Sequence, residues 1–253
     1  MAKHRRKPPS RAERREAVAK QKAERKRLMT IIGGLVLLAI VAIIAWQVWP
    51  EPEAETATEV AVLEGGRPLA DISPEERNNY FDAPPPVVID TDNDYEAVIT
   101  TEKGEMRFRL FDDEAPITVN NFVFLANQGF YDNTTFHRVL EDFMAQGGDP
   151  TGTGGGGPGY QFEDEFDTGF SFDRRGLLAM ANANNAAAGI LGTNGSQFFI
   201  TFNAENSAHL TGAHTIFGEL IEGDDVLSSL SLRNPATATA PGDTIERIEI
   251  VER

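Results

Sequence analysis

The 253-residue chain has no cysteine, four histidines and two tryptophans. Without cysteine there is no disulfide framework, no thiolate nucleophile, no cysteine zinc site and no residue for lipoprotein attachment. The histidines, His4, His137, His209 and His214, show no paired metal-ligand spacing, so no metal is expected. Gly195-Ser196-Gln197 is not a Gly-x-Ser-x-Gly nucleophile elbow, and nothing else supports nucleophilic catalysis. The glycine-rich run from Thr151 to Gly159 lacks the Lys-Ser or Lys-Thr of a phosphate cradle and reads as a flexible loop. Glu163-Asp164-Glu165-Phe166-Asp167 lacks the spacing of a calcium loop and reads as a solvated acidic run. There is no internal repeat.

Basic residues are also scarce after position 29, where eleven Lys plus Arg face thirty-six Asp plus Glu. That balance argues against a nucleic-acid surface, which needs clustered cations to neutralise phosphates. Residues 1–29 are the opposite, with twelve Lys plus Arg against three Glu, a net of +9. They read as a basic, solvated and partly helical cytoplasmic tail, with a capping box at Ser10-Arg11-Ala12-Glu13.

Residues 30–50 contain no charge, run apolar from Leu35 to Ile44, and end in Trp46, Trp49 and Pro50. About 20 apolar residues span a bilayer core, and tryptophan favours the interface, so a single transmembrane signal anchor is predicted. A cleaved signal peptide would have a shorter apolar region followed by small residues. The +9 flank places the N-terminus in the cytoplasm and everything after Pro50 on the far side, with a bacterial cell membrane preferred. Residues 51–93, rich in Pro, Glu, Ala and Asp, read as an acidic linker. Within it Ser73-Pro74-Glu75-Glu76 has the cap and first-position proline of a short helix.

From residue 94 to 253 the pattern becomes mainly β. Ala97–Thr101 and Met106–Phe111 alternate around Glu102-Lys103-Gly104 as a hairpin. Residues 115–128 take helical spacing, with Ile117, Val119, Phe122, Phe124 and Leu125 for one broad face and Gly129 as the stop. Short apolar runs follow at 176–181, 197–201, 215–218 and 244–251, with a second helix over 224–230. Many short strands with two helices favour a closed or sandwiched antiparallel sheet.

The informative stretch is Phe136 to Asp149. A turn over Glu141-Asp142-Phe143 would set Arg138 opposite Gln146 on a mostly apolar face. An arginine there either snorkels to water or is held in one orientation by the facing amide. Apolar side chains beside neutral or cationic donors recur at Phe143 and Met144, at Asn182 after Met180-Ala181, at Gln197 and Phe199, and at Leu210 and His214.

Phe136-His137-Arg138, Phe143 to Asp149, Met180-Ala181-Asn182-Ala183 and Thr193 to Ile200 resemble, in order, the cyclophilin-type peptidyl-prolyl cis–trans isomerases. The resemblance runs from about Tyr95 to Val251. It implies an eight-stranded closed antiparallel barrel capped by two α-helices, acting on proline-containing polypeptides with no cofactor. It also implies catalytic roles for Arg138, Gln146 and Asn182, and a proline pocket walled by Phe143, Met144, Phe199 and Leu210. Ala181, Gln197 and His214 match further site positions. His209 stands where the best-known eukaryotic members carry tryptophan, a departure that bears on cyclosporin binding rather than activity. Asn184–Gly192 is longer than the family's usual link. The reading from a different class is a membrane-tethered module that binds proline segments without turning them over. No oligomeric state is implied.

Overall fold

The computed structural model describes residues 66–253. The basic tail, the apolar stretch 30–50 and residues 51–65 lie outside the described residues. Among the described residues no helix is long and apolar enough to cross a membrane.

Nine antiparallel strands form one half-barrel sheet accompanied by two helices: β1 (Tyr95–Thr101), β2 (Gly104–Leu110), α1 (Pro116–Asn127), β3 (Thr134–Thr135), β4 (Arg138–Leu140), β5 (Met144–Gly147), β6 (Leu177–Met180), β7 (Phe198–Thr201), β8 (Ile216–Glu222), α2 (Asp224–Ser229) and β9 (Thr244–Glu252). The strand order is β3-β9-β1-β2-β8-β6-β7-β5-β4. This corrects the eight-stranded closed barrel. Two threonines carry no alternation signal, so β3 escapes a count made from sequence. The end strands β3 and β4 are joined through Phe136 and His137 but do not pair with each other; β3 pairs with β9 and β4 with β5.

Alternate residues of the strands enter two apolar clusters, one on each face of the sheet. Ala145, Ile200 and Leu178 lie opposite one another across β5, β7 and β6, and all three enter the main core. Helix α1 covers that core. Phe122 meets Phe198 edge-on at 5.6 Å and Phe217 at 5.1 Å. Each fully buried phenylalanine of this kind contributes about 1.5–3 kcal/mol. Ile117, predicted for the same face, is instead 51% exposed in the first turn.

Ala115 precedes α1 and has no side chain that could cap it. The cap comes from the acidic run: Glu165 accepts from the backbone N–H groups of Ile117 and Thr118 and from the Thr118 hydroxyl. Asp164 likewise accepts from Asn184, Gly192 and Asn194. Two of the run's four carboxylates therefore serve the fold, while Glu163 and Asp167 remain exposed.

Residues 66–93, assigned from composition to the linker, are packed onto the domain. Leu69 and Ile89 join the core, and Pro74–Arg77 forms a 3₁₀ turn in which Glu76 accepts from the Ser73 N–H and hydroxyl. Arg77 is fully buried, and its guanidinium donates to the carbonyls of Phe130, Asp132, Ala70 and Ile72. Arg67 pairs with Asp132 and donates to the Ile248 carbonyl at 3.0 Å. Composition hid this attachment because it rests on two arginines rather than on an apolar period.

Replacing Arg77 by Met keeps the stem but leaves buried carbonyls without a donor. The variant is expected to lose about 3 kcal/mol of unfolding free energy, read from the urea midpoint by far-ultraviolet circular dichroism. An unchanged midpoint would show that the segment is not clamped by this side chain.

Candidate active site

The β4–β5 hairpin turns through Glu141-Asp142-Phe143, with Asp142 in the left-handed region at φ 55°. Its register sets Arg138 opposite Gln146 and Leu140 opposite Met144. On the far side of β5, Gln146 faces Phe199 of β7, and Phe199 faces Ala179 of β6. Period-two alternation thus puts Arg138, Gln146 and Phe199 in one row on the sheet face away from the main core.

Hydrogen bonds hold that row. Arg138 Nη1 donates to Gln146 Oε1 at 3.4 Å and lies 3.8 Å from Met144 Sδ. Gln146 Nε2 donates to Gln197 Oε1 at 3.0 Å, and Gln197 Nε2 donates to the carbonyls of Gly154 and Gly156 at 3.1 and 2.9 Å. Each amide has one acceptor and one donor committed, so both orientations follow from the network. Burial lowers the Arg138 pKa from its ordinary value, yet a guanidinium remains charged.

The glycine-rich segment is pinned rather than flexible. Asp149, fully buried, accepts from Thr151 N–H at 2.8 Å, the Thr151 hydroxyl at 2.9 Å, Thr153 N–H at 3.0 Å and Gly154 N–H. Burial alone would raise this carboxyl, but hydrogen bonds from Thr151, Gly154 and Gly156 hold it below the usual range. Gly148, at φ 81°, brings β5 against residue 196, and a Cβ there would strike the Ser196 carbonyl.

Beside Arg138 lies a second apolar cluster containing Phe111, Met144, Phe172 and Phe199, with Phe143 and Leu210 packed at its margin. The Arg138 guanidinium sits 5.8 Å from the Phe143 ring centre. His209 is exposed and stacks on Phe143 at 5.9 Å and 22°. Phe199 stacks on Phe172 at 5.7 Å, while His214 meets its edge at 5.3 Å and 90°. His214 Nδ1 lies 2.9 Å from the Met180 carbonyl, which can only accept, so the proton belongs on Nδ1.

On the other side of Gln146 opens a cavity of about 600 Å³ whose lining includes Gln146, Ala181, Asn182, Thr193, Gln197 and Asn79. The Asn182 side-chain amide is already engaged: Nδ2 donates to the Ala213 carbonyl at 2.8 Å and Oδ1 accepts from the Asn184 N–H.

All eleven residues singled out from sequence therefore fall on one continuous surface, in two lobes that meet at Arg138 and Gln146. Sequence reasoning missed Phe172, Asp149 and Asn79. Asp149 closes the quoted motif and could have been noticed as the cap of the glycine run. Phe172 and Asn79 lie in stretches without periodicity. Among the described residues no cluster of three or more His, Cys, Asp or Glu could hold a metal ion.

Residues 97–251 match the family model described as cyclophilin type peptidyl-prolyl cis-trans isomerase/CLD. The chain is 49% identical to peptidyl-prolyl cis-trans isomerase A of Mycobacterium tuberculosis, the match covering 51% of this chain and 74% of that protein. A probable peptidyl-prolyl cis-trans isomerase A of Mycobacterium leprae matches with the same identity and coverage. A solved Cryptosporidium parvum cyclophilin type isomerase superposes with TM-score 0.56 at 37% identity, covering 62% of this chain and 98% of that one. The same protein solved in the presence of the dipeptide Ala-Pro gives TM-score 0.54 at 38% identity.

Burial lowers the pKa of both His137 and His214; for His137, Arg233 and Arg138 lower it further against the opposing pull of Asp149. Both rings stay neutral in the fold while an unfolded chain already takes up protons below the ordinary value of about 6.5. Their contribution is complete above that value and is lost as pH falls toward the folded-state values. Urea midpoints at stepped pH should decline in that window, with a shallower slope in His137→Gln. A variant slope equal to wild type would exclude His137 as a contributor.

Proposed function

The chain belongs to the cyclophilin-type peptidyl-prolyl cis–trans isomerases, an enzyme family, and from that premise we propose how its site turns an X-Pro bond. Planarity of that bond rests on delocalisation of the nitrogen lone pair, with a barrier of ~18–20 kcal/mol, and the two isomers lie within about 1 kcal/mol of each other. Acceleration therefore requires only that the twisted bond be bound better than either planar form.

Arg138 is the group that does this. Its Nη1 fork is fixed by Gln146 and stands at the edge of the Phe143, Met144, Phe199 and Leu210 surface. With the proline ring against that surface, the guanidinium donates to the prolyl nitrogen as its lone pair localises. Partial burial strengthens this interaction, which exists in the twisted state and not in the planar one. Gln146 is a positioning residue: it holds Arg138 and is itself held by Gln197. The main-chain N–H and carbonyl of Asn182 pair with the peptide beside the proline. Ala181, Gln197 and the cavity take the flanking residues, His214 supports Phe199, and His209 covers Phe143. No step needs a general base, a metal or a covalent intermediate.

The single observation that carries this reading is the Arg138–Gln146 pair on an apolar sheet face. In substrate terms the site suits proline-containing unfolded or flexible polypeptides. We also infer that residues 30–50 anchor the chain, with the N-terminus cytoplasmic and the isomerase extracytoplasmic in a bacterial cell membrane; the uncharged run between a +9 flank and two tryptophans supports this.

Arg138→Ala is expected to lower kcat/KM for an Ala-Pro peptide by about 100-fold or more, with the melting temperature close to wild type. Arg138→Lys should not restore it, because a point charge lacks the planar fork. Wild-type turnover in Arg138→Ala would remove Arg138 from its role. For the anchor, the chain should stay in the membrane pellet after alkaline carbonate washing, and release into the wash would refute it.

A further inference from the structure

The family-matched part of the chain starts at Ala97, but the flanking cavity does not end there. Asn79, eighteen residues upstream, forms part of its lining. Residues 78–81 run along the glycine segment as a strap: Asn79 N–H donates to the Gly157 carbonyl at 2.9 Å and Phe81 N–H to the Pro158 carbonyl at 2.8 Å. In return Gly157 N–H donates to Asn78 Oδ1 at 3.0 Å. Gly159, at φ 111°, allows this approach, since a Cβ there would overlap the Phe81 carbonyl.

The strap is anchored at both ends. Arg77 is buried just before it, and Phe81 meets Phe124 at 5.3 Å and Tyr160 at 6.3 Å just after the cavity rim. Between these anchors Asn79 takes a left-handed backbone at φ 57°, which asparagine tolerates better than most residues. Asn79 is exposed and forms part of the cavity lining.

Not one of the cavity-lining residues carries a charge. Gln146, Asn182, Thr193, Ser196 and Gln197 already bond within the protein, whereas the Asn79 and Gln161 side-chain amides have no hydrogen-bond partner among the described residues. Such a lining can satisfy a neutral hydrogen-bonding side chain, whereas an ionised one would lose hydration with no opposite charge to meet it.

We propose that Asn79 is a specificity-determining residue of this isomerase, supplied by the strap upstream of the family-matched domain, and that it contacts the side chain of a residue flanking the proline and favours uncharged hydrogen-bonding side chains over ionised ones. The proposal rests on the site assignment above. It gives the strap two tasks, fixing the glycine segment through its backbone and reading the substrate through Asn79.

The test uses the full chain in mild detergent and peptides in which each position within two of the proline is varied among Gln, Lys and Glu. Wild type is expected to favour Gln over both ions at one position. Asn79→Asp keeps the size and the tolerance of a left-handed backbone while adding a charge. It should shift the Lys to Glu ratio of kcat/KM at that position toward Lys by about fivefold or more. Asn79→Gly, which suits the backbone and removes the side chain, should erase the preference for Gln, and its melting curve reports whether the strap still folds. Wild-type ratios at every position in both variants would overturn the proposal. If Arg138→Ala were as active as wild type, the site assignment itself would fall, whatever the Asn79 variants did.

Discussion

An arginine on an apolar sheet face needs water or fixed partners for its donors, and at Arg138 one of those partners is the end of a chain of amides. Arg138 leans on Gln146, Gln146 on Gln197, and Gln197 on two carbonyls of the glycine segment. That segment is in turn folded around one buried carboxylate, Asp149. One donor of a single guanidinium is thereby linked to elements far apart in sequence. For a reaction with no bond to a proton, metal or nucleophile, such preorganisation is the main contribution a protein can make.

The hairpin was the most legible part of the chain. Alternation placed Arg138 opposite Gln146, and the ladder has that register. The long helix, the second helix and most strands lie where their apolar runs placed them, although the long helix is enclosed from Thr118 to Ala126 rather than along one stripe. The count of strands and the manner in which the sheet ends did not emerge, since Thr134-Thr135 has no pattern and Phe136-His137 reads as a continuation of strand. The hydrogen bond from the Asn182 side chain to Ala213 depends on a loop whose path no local pattern encodes.

Two stretches dismissed on composition turn out to be structural. The acidic run 163–167 supplies a cap and a loop anchor, and part of the Pro- and Glu-rich segment wraps the domain. In both cases polar side chains make specific long-range hydrogen bonds. Hydropathy is blind to these, since a carboxylate that caps a helix and one that faces solvent are the same letter. The buried Arg77 is the clearest instance: nothing in a run of glutamate, arginine and asparagine announces that its cation alone will be enclosed.

The cap of α1 also orders events in time. Glu165 is about 47 residues further along the chain than the N–H groups it satisfies, and β9, the last strand, lies between β3 and the first strand. A twelve-residue helix without its cap is marginal in water. The cap is available to α1 only once residue 165 is in place, and β1 gains its second neighbour only with residues 244–252. Contacts this distant in sequence make for slow folding. A member of an isomerase family, whose reaction is a slow step of folding, thus itself depends on contacts that are slow to form.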